Sequence, residues 1–274
     1  MAAHNSSRIP TSCISSSRPE IKTRFLVISD THGHEMPPEY PQQTSRRRHF
    51  AIKFLKNIKA PPKLVIAGNH DFTLDTPMFR RDVTEVTLPW SQSWSLFDEP
   101  ETRRSGVILD EGSHHFALPN GVSIKVYASP YTSSLGDWGF QCHPQAGHDF
   151  DIKDGVDVVI THGPPKGIMD MTDSGSRAGC PRLFEAIARS RPQMHCFGHI
   201  HEGWGAKLSK VLGKLSQVDP RVRVIETSHC TRDAGPLEKN SQTLFVNAAI
   251  EGSDGLPTQP LWLVDIELPP TVPT

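Results

Sequence analysis

Four short apolar runs in this chain each lead straight into histidine, aspartate or asparagine. FLVIS (25–29) leads into Asp30-Thr31-His32 and KLVIA (63–67) into Gly68-Asn69-His70-Asp71. VDVVIT (156–161) leads into His162-Gly163-Pro164-Pro165, and HCF (195–197) into Gly198-His199-Ile200-His201. Runs this short, rich in β-branched or aromatic residues and stopped by polar residues or glycine, predict buried strands. Alternate residues of a strand project to one side, so Asp30 and His32 are placed to face one pocket beyond their strand. Ligands of open α/β sheets gather at the carboxyl ends of strands, so segments spread over most of the chain can converge on one site.

Helical periodicity alternates with these strands. Phe50, Phe54, Leu55 and Ile58 recur at helical spacing, and so do Leu183, Phe184, Ile187 and Ala188 behind Pro181, a residue suited to a first helical turn. Further strands are predicted at 106–110, 114–118, 122–128, 243–248 and 261–268, several following one another as hairpins or meanders. The resulting expectation is an α/β fold in which two mixed sheets pack face to face with helices outside, a four-layer α/β/β/α sandwich. Of the 274 residues, 36% are hydrophobic, enough for one substantial core. Residues 1–20 are Ser-rich and polar and read as a disordered tail, 21–268 as a single domain, and 269–274 as a frayed end.

Composition narrows the function classes. Lys and Arg (29) nearly cancel Asp and Glu (30), giving a net charge of -1 and no global attraction to nucleic acid or an acidic membrane. A small substrate is expected, with no nucleic-acid polymer or membrane partner; oligomeric state has no signature in the composition. Five cysteines without a C-x-x-C pair fit neither a disulfide scaffold nor a zinc knuckle, and reduced thiols in the cytoplasm are expected. The first residues lack a signal-peptide core, and nowhere do 18 apolar residues run together. Imidazole, carboxylate and amide oxygen without thiolate suit zinc, manganese or iron.

The runs FLVISDTHG, KLVIAGNHDF, VITHGPP, CFGHIHEGWG and TLFVNAA resemble the calcineurin-like metallophosphoesterases, in particular the subgroup named for the metallophosphoesterase domain. The resemblance extends from Phe25 to the C-terminal strands. It implies two divalent ions (Mn, Fe or Zn), one held by Asp30, His32 and His201 and the other by Asn69, His162 and His199, with His70 donating a proton to the leaving oxygen or stabilising the developing charge. The reaction implied is hydrolysis of phosphomonoesters or phosphodiesters, nucleotides among them, by attack of a metal-bound hydroxide.

One family element is missing. Between His32 and Gly68 the pattern calls for a buried strand ending in Gly-Asp, whose carboxylate bridges the two metals, and the chain offers no such strand. The expected sandwich therefore lacks one core strand between residues 33 and 50, and the clean resumption of the pattern at Phe54-Leu55 and KLVIAGNHD points to a mispredicted exon or a splice variant. Glu35 and Glu39 are the acids available there: in a loop that begins near the site, Glu35 is placed to swing in for the bridging carboxylate, and otherwise both read as solvated loop residues. Asn69, His162 and His199 are all neutral, so the second ion is expected to bind weakly, and an impaired enzyme that binds a nucleotide or partner is the alternative. Arg46, Arg47 and Arg48 read as a solvated helix face, and His114 and His115 as neighbours on opposite faces of a strand. The stretch from Leu135 to His148 is placed to wall a pocket or to pack on the core. Trp204 is expected to flank the ligands, and Asn247 to lie near the site or to cap a strand.

Overall fold

The structure, a computed structural model, describes residues 19–32, 57–60, 62–75, 107–136, 138–209, 223–225, 241–252 and 255–271. A mixed seven-stranded sheet forms its centre. In chain order the strands are β1 (Ile21–Val27), β2 (Leu64–Val65), β3 (Val107–Ile108), β4 (Gly112–Ala117), β5 (Ser123–Ser129), β6 (Thr132–Ser133), β7 (Gln141–Cys142) and β8 (Val158–Thr161). After the helix α1 (Pro181–Ser190) come β9 (Met194–Phe197), β10 (Gly205–Ser209), β11 (Arg223–Ile225), β12 (Thr243–Asn247) and β13 (Trp262–Leu268). The central sheet has the order β11-β10-β12-β9-β8-β5-β4, and three two-stranded ladders pair β1 with β13, β2 with β3 and β6 with β7.

Strands β5, β8, β9 and β12 run parallel, with Ser129 beside Thr161 and Asn247 beside Phe197 in register. Their carboxyl ends therefore finish together, and the loops bearing His162, His199 and His201 leave one edge of the sheet side by side. The sheet is sandwiched. On one face Tyr127, Val159, Phe197 and Phe245 pack against Leu183, Ala186 and Ile187 of α1. That helix begins with Pro181 at its first turn, as its sequence predicts, and ends where Arg191 adopts a left-handed conformation (φ 49°) and its N–H donates to the Ile187 carbonyl. On the other face Ile124, Val126, Val158 and Val246 meet Trp262, Val264, Ile266 and Leu268 of β13, with Phe25, Val27 and Leu64 packed alongside.

The β1–β13 ladder shows why the register holds. Phe25 pairs with Val264 and Val27 with Trp262 on the core side, while on the outer side Arg24 faces Asp265 with two hydrogen bonds of 2.7 and 2.9 Å. A one-residue slip would bring the charged set inward.

Several expectations are corrected. FLVIS and KLVIA read as buried strands, yet Phe25, Val27, Leu64 and Val65 are half-buried and Leu26 is exposed. Strands β1 and β2 share no ladder, and a cavity of about 650 Å³ has Phe25 and Val27 in its lining along with Leu64 and Ile66. Strands β6, β7 and β10 were not foreseen, because Gly205-Ala206-Lys207 and the two-residue pairs carry no alternating apolar signal; β11 was not foreseen although the sequence Arg221-Val222-Arg223-Val224-Ile225 alternates. His114 is half-buried and His115 exposed on β4, as strand alternation requires. Cys142, Cys180 and Cys196 are free and buried. The 1–18 tail, Glu35, Glu39, the strand gap at 33–50, Arg46 to Arg48, most of the predicted helix at Phe50–Ile58 and residues 272–274 lie outside the described residues.

Candidate metal centre

Asp30 and His32 follow the end of β1, which is pinned where β12 ends. The Ser29 N–H donates to the Ala248 carbonyl (2.8 Å), and the Ile250 N–H donates back to Ser29 (3.1 Å). His199 and His201 follow β9 in a loop that Asn247 braces, its Nδ2 donating to the Ile200 carbonyl (2.8 Å) and its Oδ1 accepting from the Ala249 N–H. The loop comes so near β1 that only glycine fits at position 198: a Cβ there would collide with the Asp30 carboxylate and Ser29. Asp30 Oδ2 in turn accepts the His199 N–H (2.9 Å). Asp30, His32 and His199 all have positive φ (53°, 39° and 67°). Non-glycine residues seldom adopt this region, and its concentration on three candidate ligands places backbone strain at the site.

The donor atoms converge. His32 Nε2 and His201 Nε2 lie 3.3 Å apart, and Asp30 Oδ1 is 3.7 Å from the first and 3.5 Å from the second. Donors bound about 2.0–2.2 Å from one tetrahedral ion are separated by about 3.3–3.6 Å, so this spacing and chemistry fit a divalent metal. Asp30, His32 and His201 therefore form the candidate metal site among the described residues.

A second group adjoins it. His162 Nε2 meets Asn69 Oδ1 at 2.7 Å, and the His162 and His199 rings stand 5.1 Å apart. A Cβ at Gly68 would press on the His162 ring at 2.8 Å, so glycine there allows the Asn69 turn to close in. His70 packs edge-on to His32 with ring centres 4.9 Å apart, and Trp138 covers its other side at 4.4 Å. Trp138 is held in place by its own loop, since the Gly139 N–H donates to the Asn69 carbonyl (3.0 Å) and the Phe140 N–H to Asp75 (2.6 Å). The pocket-wall reading of the Leu135–His148 stretch thus fits Trp138. Trp204 does not flank the ligands; it packs on Trp262 and its Nε1 donates to the Pro260 carbonyl (3.1 Å).

Protonation separates the two groups. Burial lowers the pKa of His162 and drives that of His199 to about 3, leaving both imidazoles neutral with a lone pair for a metal. Burial alone would raise Asp30, but hydrogen bonds to His201 and His32 outweigh it and hold the carboxyl well below its ordinary value. The hydrogen bond to Asp30 raises His201.

Sequence reading missed Glu251. Its Oε1 is 3.5 Å from His201 Nδ1 and its Oε2 3.8 Å from His32 Nε2. The available signal was that TLFVN is a fifth run ending at the same sheet edge, with an acid shortly beyond it.

Residues 43–203 match the sequence profile described as Calcineurin-like phosphoesterase. The chain belongs to the calcineurin-like phosphoesterase family. Human metallophosphoesterase domain-containing protein 1 is 30% identical over 243 residues, which cover 80% of this chain and 70% of that protein. The Caenorhabditis elegans UPF0046 protein T07D4.2 is 32% identical over 210 residues, 66% of this chain and 52% of its own. A protein of Emericella nidulans named probable rhamnogalacturonate lyase C is 36% identical over 201 residues, covering 68% of this chain but 18% of the relative. The family profile spans Asn69, His70, His162, His199 and His201 and starts after Asp30 and His32. Membership supports a metal-dependent phosphoesterase in general terms, and a candidate metal site lies where such an enzyme needs one. Among the described residues no helix is long and apolar enough to cross a membrane.

Proposed function

We propose that the protein hydrolyses small phosphate esters, nucleotides in particular, at the pocket formed by Asp30, His32, Asn69, His70, His162, His199 and His201. The observation that carries this reading is the 3.3–3.7 Å convergence of Asp30 Oδ1, His32 Nε2 and His201 Nε2 beside His70. Asp30, His32 and His201 hold the first divalent ion; Asn69, His162 and His199 hold a second, weaker one, manganese, iron or zinc suiting both donor sets. Bound divalent ions supply a water of lowered pKa and offset the charge of the phosphate.

The chain's own groups do the rest. Asp30 contributes the anionic oxygen of the first set and anchors the His199 backbone. His70, held between His32 and Trp138, stands where its ring can donate a proton to the leaving oxygen. Trp138 is 48% exposed and offers a face on which a nucleobase can stack, which favours nucleotides over simple sugar phosphates. The fold is read as the four-layer family sandwich.

An aryl phosphodiester assayed with manganese tests the proposal, alongside Asp30→Asn and His70→Ala. Turnover that both substitutions abolish supports it. The second reading, a phosphoesterase-like protein that binds a nucleotide without hydrolysing it, is favoured by the all-neutral Asn69, His162 and His199 group. Nucleotide binding without metal-dependent turnover establishes that reading instead.

A further inference from the structure

We propose that Glu251 is a further metal-site residue, supplying the second negative charge of the Asp30, His32 and His201 group and positioning His201 for the ion; this rests on the metal-site reading above. The first argument is charge. A divalent ion held by one carboxylate and two neutral imidazoles keeps a net charge of +1 in a half-buried pocket, and a second carboxylate cancels it.

The second argument is geometry. Glu251 Oε2 stands 3.8 Å from His32 Nε2, the nitrogen that also faces Asp30 Oδ1 at 3.7 Å and His201 Nε2 at 3.3 Å. Its Oε1 faces the opposite nitrogen of His201, Nδ1, at 3.5 Å. A carboxylate on Nδ1 fixes the proton there and leaves Nε2 its lone pair, the arrangement by which carboxylates orient metal-binding histidines.

The third is that the backbone holds Glu251 in place. Its neighbour Ile250 donates to Ser29, the residue before Asp30, and accepts from the Gln259 N–H at 3.0 Å. Gln259 Nε2 donates to the His201 carbonyl at 3.2 Å. One residue thus ties the Glu251 segment to the His201 turn, while Ser29 ties it to Asp30. With its side chain 17% exposed, Glu251 sits at the rim, where it closes the ligand group without being sealed inside.

Zinc and manganese binding by the full chain, measured by competition with a chromophoric chelator, tests the proposal. Glu251→Gln is expected to weaken the tight site about 10–100-fold, the range for residues that orient metal ligands. Nitrogen-15 spectra of His201 are expected to show a shift away from the Nδ1–H tautomer in the same variant. Unchanged affinity in Glu251→Gln, with binding lost in Asp30→Asn, would overturn the role of Glu251 and leave the metal site standing. Equal affinity in the wild type and Asp30→Asn would overturn both. Glu251→Asp, which keeps the charge and shortens the reach, is expected to lose less affinity than Glu251→Gln; an equal loss would contradict the charge argument.

Discussion

The two halves of the pocket are built from the same sheet edge but on opposite electrostatic principles. Asp30, His32 and His201, with Glu251 at the rim, gather carboxylates around histidines, and Asp30 raises the pKa of His201. Asn69, His162 and His199 bring only neutral donors, and burial keeps the two imidazoles unprotonated. The first half attracts a cation by charge; the second offers lone pairs in a dry setting, where the nearby carboxylates of Asp30 and Asp71 act on His162 without belonging to its donor set. Unequal metal affinity is the prediction that this difference in composition carries, before any difference in coordination geometry is considered.

Asp30→Asn should break the comparison most severely. It removes the anionic oxygen that faces both His32 and His201, and metal-dependent turnover is expected to fall by more than about 100-fold, beyond the effect of an orienting residue. A smaller loss in a steady-state assay would place the first ion's charge balance elsewhere.

Acid should separate the buried neutral histidines from the rest. Those of His195 and His199 lie near 3 against an ordinary 6.5, so between these values the unfolded chain takes up protons that the folded one refuses. Stability then falls as pH drops below 6.5, by about 1.4 kcal/mol per pH unit for each such group, or about 2 kcal/mol each at pH 5. His201, shifted upward, works in the opposite sense and gains stability on the acid side. Urea unfolding of metal-free protein at pH 7 and pH 5 measures the net loss. His195→Gln, a change away from the ligands in the core beside Phe197 and Phe245, should remove its share of that slope; an unaltered slope would contradict the assignment.

His162→Ala sharpens the comparison. It should reduce turnover about 10–100-fold while leaving the tight ion in place, as counted by elemental analysis after desalting. Loss of the tight ion would show that the halves do not act separately. Trp138→Ala is expected to have the smallest effect, raising KM for a nucleotide about fivefold, consistent with loss of one stacking contact at an exposed site, with little change for an aryl phosphate.

Much of this pocket was legible in the chain because strand ends are local signals. An apolar run that stops at Asp-Thr-His or Gly-His-Ile-His marks both a strand and its terminus, and the parallel order of β8, β9 and β12 then places the ends together. Gly198 and Gly68 belong to the same motifs, but only the folded chain shows what they permit, namely contact with Asp30 and His162. Glu251 escaped notice because its position depends on pairing between Ser29 and Ala249, which are far apart in sequence and carry no periodic pattern. Trp204 was misplaced for a related reason: adjacency to His201 in sequence says nothing of the turn that carries its ring onto Trp262. β10 was missed because its glycine, alanine and lysine hide a strand that is held by its neighbours on both sides.

Counting manganese ions per chain across a titration, by equilibrium dialysis and elemental analysis, tests the unequal pocket most directly. The account predicts one tightly held ion, and a second that appears only at substantially higher free metal and is lost first in His162→Ala. Two ions of equal affinity, or none at all, would contradict it.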